Sequence, residues 1–300
     1  MLIAREEFVG RSPGPRVLIT GGVHGDEFEP MAAVRRLIAR FRETPPPRGR
    51  VTLVPVVNEP AFRRGSRVAE DGLDLARTCP GAPAGSVTER IAHELSGLIR
   101  EADYYIDLHT GGTRLRVLPL VGYMLHPDAA LLAVQRRMAR AFGLPIIWGT
   151  DPRPDGRSLS VARDAKVPAI YAEYHGGGGC DPAGVEAYTA GCLRVLADVG
   201  ATDDALPPVA APLVVEDSRP GAGHMQANHP APCEGFFEPA VTLGQVVREG
   251  DPLGTVTDPL GRRTEMVRAK YSGVVLVLHT FARVDAKESV AVILPTDRTV

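Results

Sequence analysis

The chain has 300 residues, 44% hydrophobic and 23% charged, with a formal net charge of −2, so it can bury a sizeable core and offers polyanions no broad attraction. A disordered chain is excluded, and with no basic stripe interleaved with aromatics no nucleic-acid partner is expected. Among the 34 basic residues only Lys166, Lys270 and Lys287 are lysines, so arginine is partly a compositional habit here and an isolated one carries little weight.

At the start, Arg5, Glu6 and Glu7 stand where a signal peptide needs an apolar core, and no apolar run approaches membrane-spanning length, so no membrane partner is expected. Cys79, Cys180, Cys192 and Cys233 are scattered and form no CxxC pair, which reads as reduced thiols in a cytoplasmic protein. The run Val17 to Thr20, stopped by Gly21 and Gly22, predicts a strand, and Met31, Val34, Leu37, Ile38 and Phe41 predict a helix over Glu27 to Phe41. Pro45 to Pro47 close this unit. A second strand follows over Val51 to Val57, then a long polar loop with Asn58, Arg67 and Arg77, then a helix over Thr88 to Arg100.

Tyr104 to His109 predicts a third strand and Pro168 to Tyr174 a fourth, with helices near Asp128 to Phe142 and Pro182 to Val199. This alternation implies an α/β fold with a mostly parallel sheet flanked by helices, whose ligands bind beyond the carboxyl ends of the strands. The polar clusters fall at such ends: Gly21 to Glu27, Asn58 onward, His109 to Gly112, and Glu173 to Gly179. The prolines around Leu206, Pro207, Pro208 and Pro212 mark a linker, dividing a catalytic domain, 1–206, from a smaller all-β unit, 210–300. Within that unit Val247 to Val256 and Val284 to Ile293 share a spacing of apolar and acidic positions, a weak internal repeat of the kind found in a two-fold β-sandwich.

His24 and Glu27 follow a glycine turn at HxxE spacing, where an imidazole and a carboxylate can face one point. With a third protein ligand and an open fourth position such a pair suits catalytic Zn²⁺, one per chain, and His109 is the natural third ligand. The spacing alone is common on solvated helix starts. Asp107 lies two residues before His109, on the same strand face, where it could orient a ligating imidazole. Amide hydrolysis by a metal-activated water also needs a proton acceptor and donor, and Glu173, ending an apolar strand before Gly176 to Gly179, is the candidate. The other histidines, His93, His126, His224, His229 and His279, read as surface or capping residues; His175, close to Glu173, is left open, and Cys180 reads as structural.

Taken together, Gly22 to Glu27, Asn58 with Gly65 to Arg67, Gly72 to Arg77 with Pro80 and Gly81, Asp107 to Thr110, and Glu173 before its glycines resemble the succinylglutamate desuccinylase/aspartoacylase family of zinc carboxypeptidase-like enzymes. The resemblance spans both units. It implies a zinc carboxypeptidase-like catalytic fold with a barrel-sandwich-like C-terminal unit covering the cleft, and a small N-acylated amino acid as substrate. It further implies zinc on His24, Glu27 and His109, Glu173 as general base then acid, Arg67 polarising the amide carbonyl, and Asn58 and Arg77 binding substrate, Arg77 through its carboxylate. Arg163 lies close to the position of a further anion-binding arginine. The family's Asp-Leu-Asn-Arg is here Asp74, Leu75, Ala76 and Arg77, so the asparagine that shares carboxylate recognition is missing.

Three rival readings remain at this point. One is a peptidase acting on short peptides; another is a biotinyl or lipoyl-like carrier, although the turn Asp258 to Gly261 has no lysine. The third is a metal-binding protein without catalysis, in which loss of Asn58, Arg67 or Glu173 would be expected. A homo-oligomer is compatible with the composition.

Overall fold

A computed structural model describes residues 2–225 and 228–295. Residues 226–227 and 296–300 of the expected second unit lie outside the described residues.

The chain opens with β1 (Glu6–Val9) and β2 (Ser12–Thr20), followed by α1 (Phe28–Glu43), β3 (Arg48–Val54) and the short α2 (Glu59–Arg64). Asn58 caps α2 by accepting from the Ala61 amide, and Gly65 ends it with φ +58, in the left-handed region that costs glycine least. A capping box of Ser86 and Glu89 starts α3 (Val87–Glu101), which leads into β4 (Tyr104–His109) and β5 (Leu115–Met124). Asp128 caps α4 (Ala129–Phe142); β6 (Ile146–Thr150), α5 (Ser158–Asp164) and β7 (Ala169–Gly176) follow. Asp181 caps α6 (Pro182–Asp198), with proline in its first turn, before β8 (Leu213–Glu216).

Strands β3, β2, β4 and β7 run parallel in that spatial order, with β1 antiparallel on the outside of β3. Helices α1, α4 and α6 pack Val34, Phe41, Met138, Phe142, Tyr188 and Leu196 on one face, and α3 and α5 pack Ile91, Leu95, Ile99 and Leu159 on the other. Burial of such side chains, roughly 1.5–3 kcal/mol each, holds the layers together.

The sheet is mixed because β5, which the alternation pattern does not reveal, runs antiparallel to β7. Gly122 of β5 lies opposite Tyr171 of β7, and a Cβ there would stand 2.2 Å from the Tyr171 ring, so the glycine makes room for that side chain. The other edge of β5 is shared: Leu120 to Met124 pair with β6, and Leu115 to Val117 pair with a strand from the C-terminal region. Although β8 follows the proline-rich stretch expected to open the second unit, it pairs with β6 in this first sheet.

Beyond it come β9 (Gly235–Pro239), β10 (Val246–Val247), β11 (Pro252–Thr257), β12 (Thr264–Arg268), β13 (Gly273–His279), β14 (Arg283–Val284) and β15 (Ala291–Leu294). β12, β11, β9 and β14 make a separate antiparallel sheet, while β10, β13 and β15 join the large one through β13 and β5, giving it eleven strands among the described residues. The weak repeat corresponds to a reciprocal exchange: β9 pairs with β11 and β13 with β15, while β10 crosses to β13 and β14 crosses to β9. Against the surface reading, His229 and His279 are buried here. His229 Nδ1 faces the Ala291 carbonyl at 3.1 Å and its Nε2 accepts from the Lys270 amide at 3.0 Å, so this imidazole bridges two backbone groups far apart in the chain.

Candidate active site

Thr20, His109 and Glu173 end their apolar runs at one rim of the parallel strands, and the register sets their spacing: Thr20 lies beside Asp107, and His109 lies beside Glu173. After β2 the chain turns through Gly22, whose φ of +65 suits glycine, and Gly25 presses against α2 so closely that a Cβ would stand 2.1 Å from the Ala61 carbonyl carbon. This tight path carries His24 and Glu27 to the rim, Glu27 being the residue immediately before α1.

His24 Nδ1 lies 2.7 Å from Glu27 Oε1, and His109 Nδ1 lies 3.1 Å from Glu27 Oε2. One donor atom from each of the three residues falls within 4.8 Å of the others. The remaining imidazole nitrogens meet carboxylates: His24 Nε2 is 3.1 Å from Asp74 Oδ1, and His109 Nε2 is 3.1 Å from Asp107 Oδ2. With those nitrogens protonated, both Nδ1 atoms present lone pairs to one point. Two nitrogens and a carboxylate, each imidazole oriented by an outer carboxylate, fit zinc with an open fourth position.

Without a cation, burial disfavours charge on His109, yet Asp107 and Glu27 outweigh it and hold the imidazole well above its ordinary pKa. Burial likewise opposes ionisation of Glu27, but His24 and His109 carry its carboxyl below the usual range. The carboxylates of Glu27 and Asp107 thus favour positive charge at this point. Asp107 is fully buried, accepting from Ser158 Oγ at 2.5 Å and Thr20 Oγ1 at 2.8 Å, and the Tyr188 hydroxyl donates to the His109 carbonyl.

Asp74 joins the ligand set to Arg67: besides facing His24 it accepts from Arg67 Nε at 3.2 Å and Nη2 at 3.0 Å. Arg67 also stands 3.8 Å from Glu27 Oε1, which aims its guanidinium at the same point as the donor atoms. Glu173 is buried, with one oxygen lacking a hydrogen-bond partner among the described residues. Burial pushes its carboxyl well above the ordinary value; His109 and Arg67 oppose this, and Glu27 and Asp107 add to it.

A cavity of about 70 Å³ opens from this cluster, lined by His24, Arg67, Arg77, His109, Arg157 and Glu173 with Ala76, Tyr171 and Met225. Burial, with Arg157 and Arg67 nearby, brings the Arg77 guanidinium down to about 10 against the pull of Asp74. Two of the expected substrate residues are placed elsewhere. Arg163 does not line this cavity: it donates to the Pro152 carbonyl and to Asp155 and Asp164 and lines a separate cavity with Cys79 and Arg100, because seven residues of helix turn it away from the rim. Asn58 is fully buried and spends its carbonyl on the α2 cap. His175 faces Asp181 at 3.3 Å and does not line the cavity.

Sequence reasoning missed Arg157, at the start of α5, whose Nε is buried without a hydrogen-bond partner among the described residues. It also missed the positioning roles of Asp74, Thr20 and Ser158, and the contribution of Gly223 and Met225, which reach the cavity from beyond β8. The Asp-Gly-Arg-Ser stretch at 155–158, a polar turn before a helix, was the available signal for Arg157.

The sequence model of the succinylglutamate desuccinylase/aspartoacylase catalytic domain matches residues 13–199. The N-alpha-acetyl-L-2,4-diaminobutyric acid deacetylase of Halomonas elongata is 32% identical over 292 residues, 95% of this chain and 83% of that protein. Among solved structures, the product-bound ectoine utilization protein EutE (DoeB) of Ruegeria pomeroyi superposes with a TM-score of 0.87 at 28% identity, over 97% of this chain and 88% of that one. A succinylglutamate desuccinylase/aspartoacylase from Rhodobacter sphaeroides gives 0.84 at 28% identity with the same coverage. With its catalytic core matched and a relative at 32% identity along almost its whole length, the chain belongs to the succinylglutamate desuccinylase/aspartoacylase family of amide-hydrolysing enzymes.

Proposed function

We propose that this protein is a zinc-dependent deacylase that hydrolyses the amide bond of small N-acyl amino acids. The observation that carries the reading is the convergence of His24, Glu27 and His109 beside Glu173, at the mouth of a cavity holding Arg77 and Arg157. Zinc, when bound by the three ligands, would polarise the amide carbonyl and make water acidic enough to attack near neutral pH.

The chain's own residues do the rest. Glu173 takes the proton of the attacking water and returns it to the leaving nitrogen; its raised pKa suits a carboxyl that must hold that proton in between. Arg67, fixed by Asp74, faces the developing oxyanion with preorganised charge. Arg77 and Arg157 hold the amino-acid carboxylate, for which planar guanidinium forks are well shaped. Ala76 lines the cavity and offers no side-chain hydrogen bond, so the enzyme discriminates weakly for the carboxylate geometry of N-acetylaspartate or N-succinylglutamate. The deacetylase relative makes N-acetyl-2,4-diaminobutyrate the first compound to try.

The test is a hydrolysis screen of N-acetyl amino acids, N-succinylglutamate included, on metal-stripped and zinc-reloaded protein. Turnover that returns with zinc supports the reading, and full turnover by stripped protein, or none by the reloaded form on any compound, rejects it.

A further inference from the structure

Two cavities meet at Arg67. The smaller, about 70 Å³, contains the ligand set, Glu173 and the two inner arginines. A second, of about 480 Å³, lies against Arg67, Asp26 and the loop after β4, and is bordered by Phe281 and Ser289 from the segments between β13 and β15. Its size is that of a small-molecule site, and it is much the larger of the two.

The position of Arg67 orients a substrate. Arg67 lines both spaces, and in the deacylase reading it faces the oxyanion, which puts the scissile carbonyl between them. A carboxylate is drawn to Arg77 and Arg157 in the inner cavity, which sends the other substituent of the carbonyl, the acyl chain, into the outer one. The chemistry of that wall follows from which polar groups are already engaged. Arg114 is held by Glu288 at 2.8 Å and Asp285 at 3.2 Å and lies over the Phe281 ring at 5.9 Å. Asp26 accepts twice from Thr113, at 2.9 Å each, and its other oxygen has no hydrogen-bond partner among the described residues, adding negative charge that disfavours a second carboxylate. Ser66 and Ser289 donate to the Val68 and Asn228 carbonyls. Apart from Arg67 and that one Asp26 oxygen, the lining side chains left for a ligand among the described residues are apolar: Val68, Leu115 and the exposed ring of Phe281. The rim is fixed in place, since Thr280 and Phe281 both donate to the Arg114 carbonyl and β13 pairs with β5 just before it.

We propose that the outer cavity is an acyl subsite for linear apolar acyl groups longer than acetyl, with Phe281 of the C-terminal unit as the residue that meets the chain's end. This rests on the deacylase reading above and specifies its acyl half. Each methylene buried there contributes roughly fourfold in binding.

The experiment uses the zinc-loaded full chain and the N-acetyl, N-hexanoyl and N-succinyl derivatives of whichever amino acid is turned over best. Wild type is expected to process the hexanoyl compound with kcat/KM within tenfold of the acetyl compound or above it, and above the succinyl one. The hexanoyl-to-acetyl ratio, which cancels any general loss of activity, is expected to fall at least tenfold in Phe281→Ala and in Val68→Trp. A wild-type hexanoyl-to-acetyl ratio below one tenth, a succinyl compound processed faster than the hexanoyl one, or a ratio that neither variant lowers tenfold overturns the proposal. If no N-acyl amino acid is hydrolysed, the deacylase reading itself fails, and the subsite is decided separately by titrating hexanoate against Phe281→Trp, the chain's single native tryptophan, Trp148, being buried. An emission change with hexanoate where acetate gives none supports an apolar acyl subsite, and identical responses overturn it.

Discussion

Replacing Asp107 by asparagine should weaken zinc binding while leaving the fold intact. Asp107 is fully buried and receives three donors: Thr20 Oγ1 at 2.8 Å on one oxygen, and Ser158 Oγ at 2.5 Å with His109 Nε2 at 3.1 Å on the other. Asparagine has nearly the same shape. With its carbonyl toward Ser158 and His109, its amide would face Thr20, whose hydroxyl can turn its own hydrogen toward the Tyr105 hydroxyl 2.9 Å away. The network thus absorbs the change without an orphaned group, and the cost is confined to the loss of negative charge beside His109. A charge-assisted hydrogen bond becomes a neutral one of roughly half the strength. For outer carboxylates on ligating histidines such losses amount to about 10–100-fold in metal affinity. The assay is competition for Zn²⁺ against a chromophoric chelator, with circular dichroism as the folding control. An Asp107→Asn chain that folds normally and binds zinc as tightly as wild type would refute the view that this carboxylate orients His109 for the metal.

Three further outcomes are expected. Glu173→Gln keeps its shape without a titratable group, so kcat should drop by at least ~10²-fold at unchanged zinc content; near-normal turnover on the same substrate would exclude it as the proton carrier. Arg157→Ala should lower kcat/KM for carboxylate-bearing substrates roughly 10–100-fold, the worth of a hydrogen bond to a charged group, whereas Arg163→Ala, away from the cavity, should stay within about threefold; the reverse order in steady-state kinetics would restore Arg163 to the site. His229, whose pKa burial pulls down to about 4, binds its proton more weakly folded than unfolded, so its contribution to stability is present above the unfolded value of about 6.5 and is lost as pH falls towards 4. Urea melts across that window should be less pH-dependent in His229→Gln than in wild type, and equal pH dependence would count against the assignment.

Much of the scaffold is written locally. Ser86, Asp128 and Asp181 mark helix starts because their side chains accept from amides that no earlier turn can satisfy. The apolar runs ending at Thr20, His109 and Glu173 mark parallel strands because both faces are covered by helices, and they place chemistry-bearing residues at the carboxyl ends. Asp107 and His109 share a face by strand alternation alone. These features depend on neighbours a few positions away, and the sequence by itself determines them.

The rest depends on contacts between residues far apart in the chain. Nothing in Leu115 to Met124 announces that it runs antiparallel to β7, since the direction of a strand is decided by where its connections lead, and that reversal is what lets β13 continue the sheet and brings Phe281 to the outer cavity. The exchange of Arg163 for Arg157 has a similar origin: the two are six positions apart around α5, and only the packing of that helix against α3 and the sheet decides which guanidinium faces the ligand set. The sequence named the residue types and the strand ends; the convergence of His24, Glu27, Asp74, Arg67 and Glu173 on one point belongs to the tertiary structure, because directions of side chains separated by as many as 149 positions are set by packing and not by local pattern.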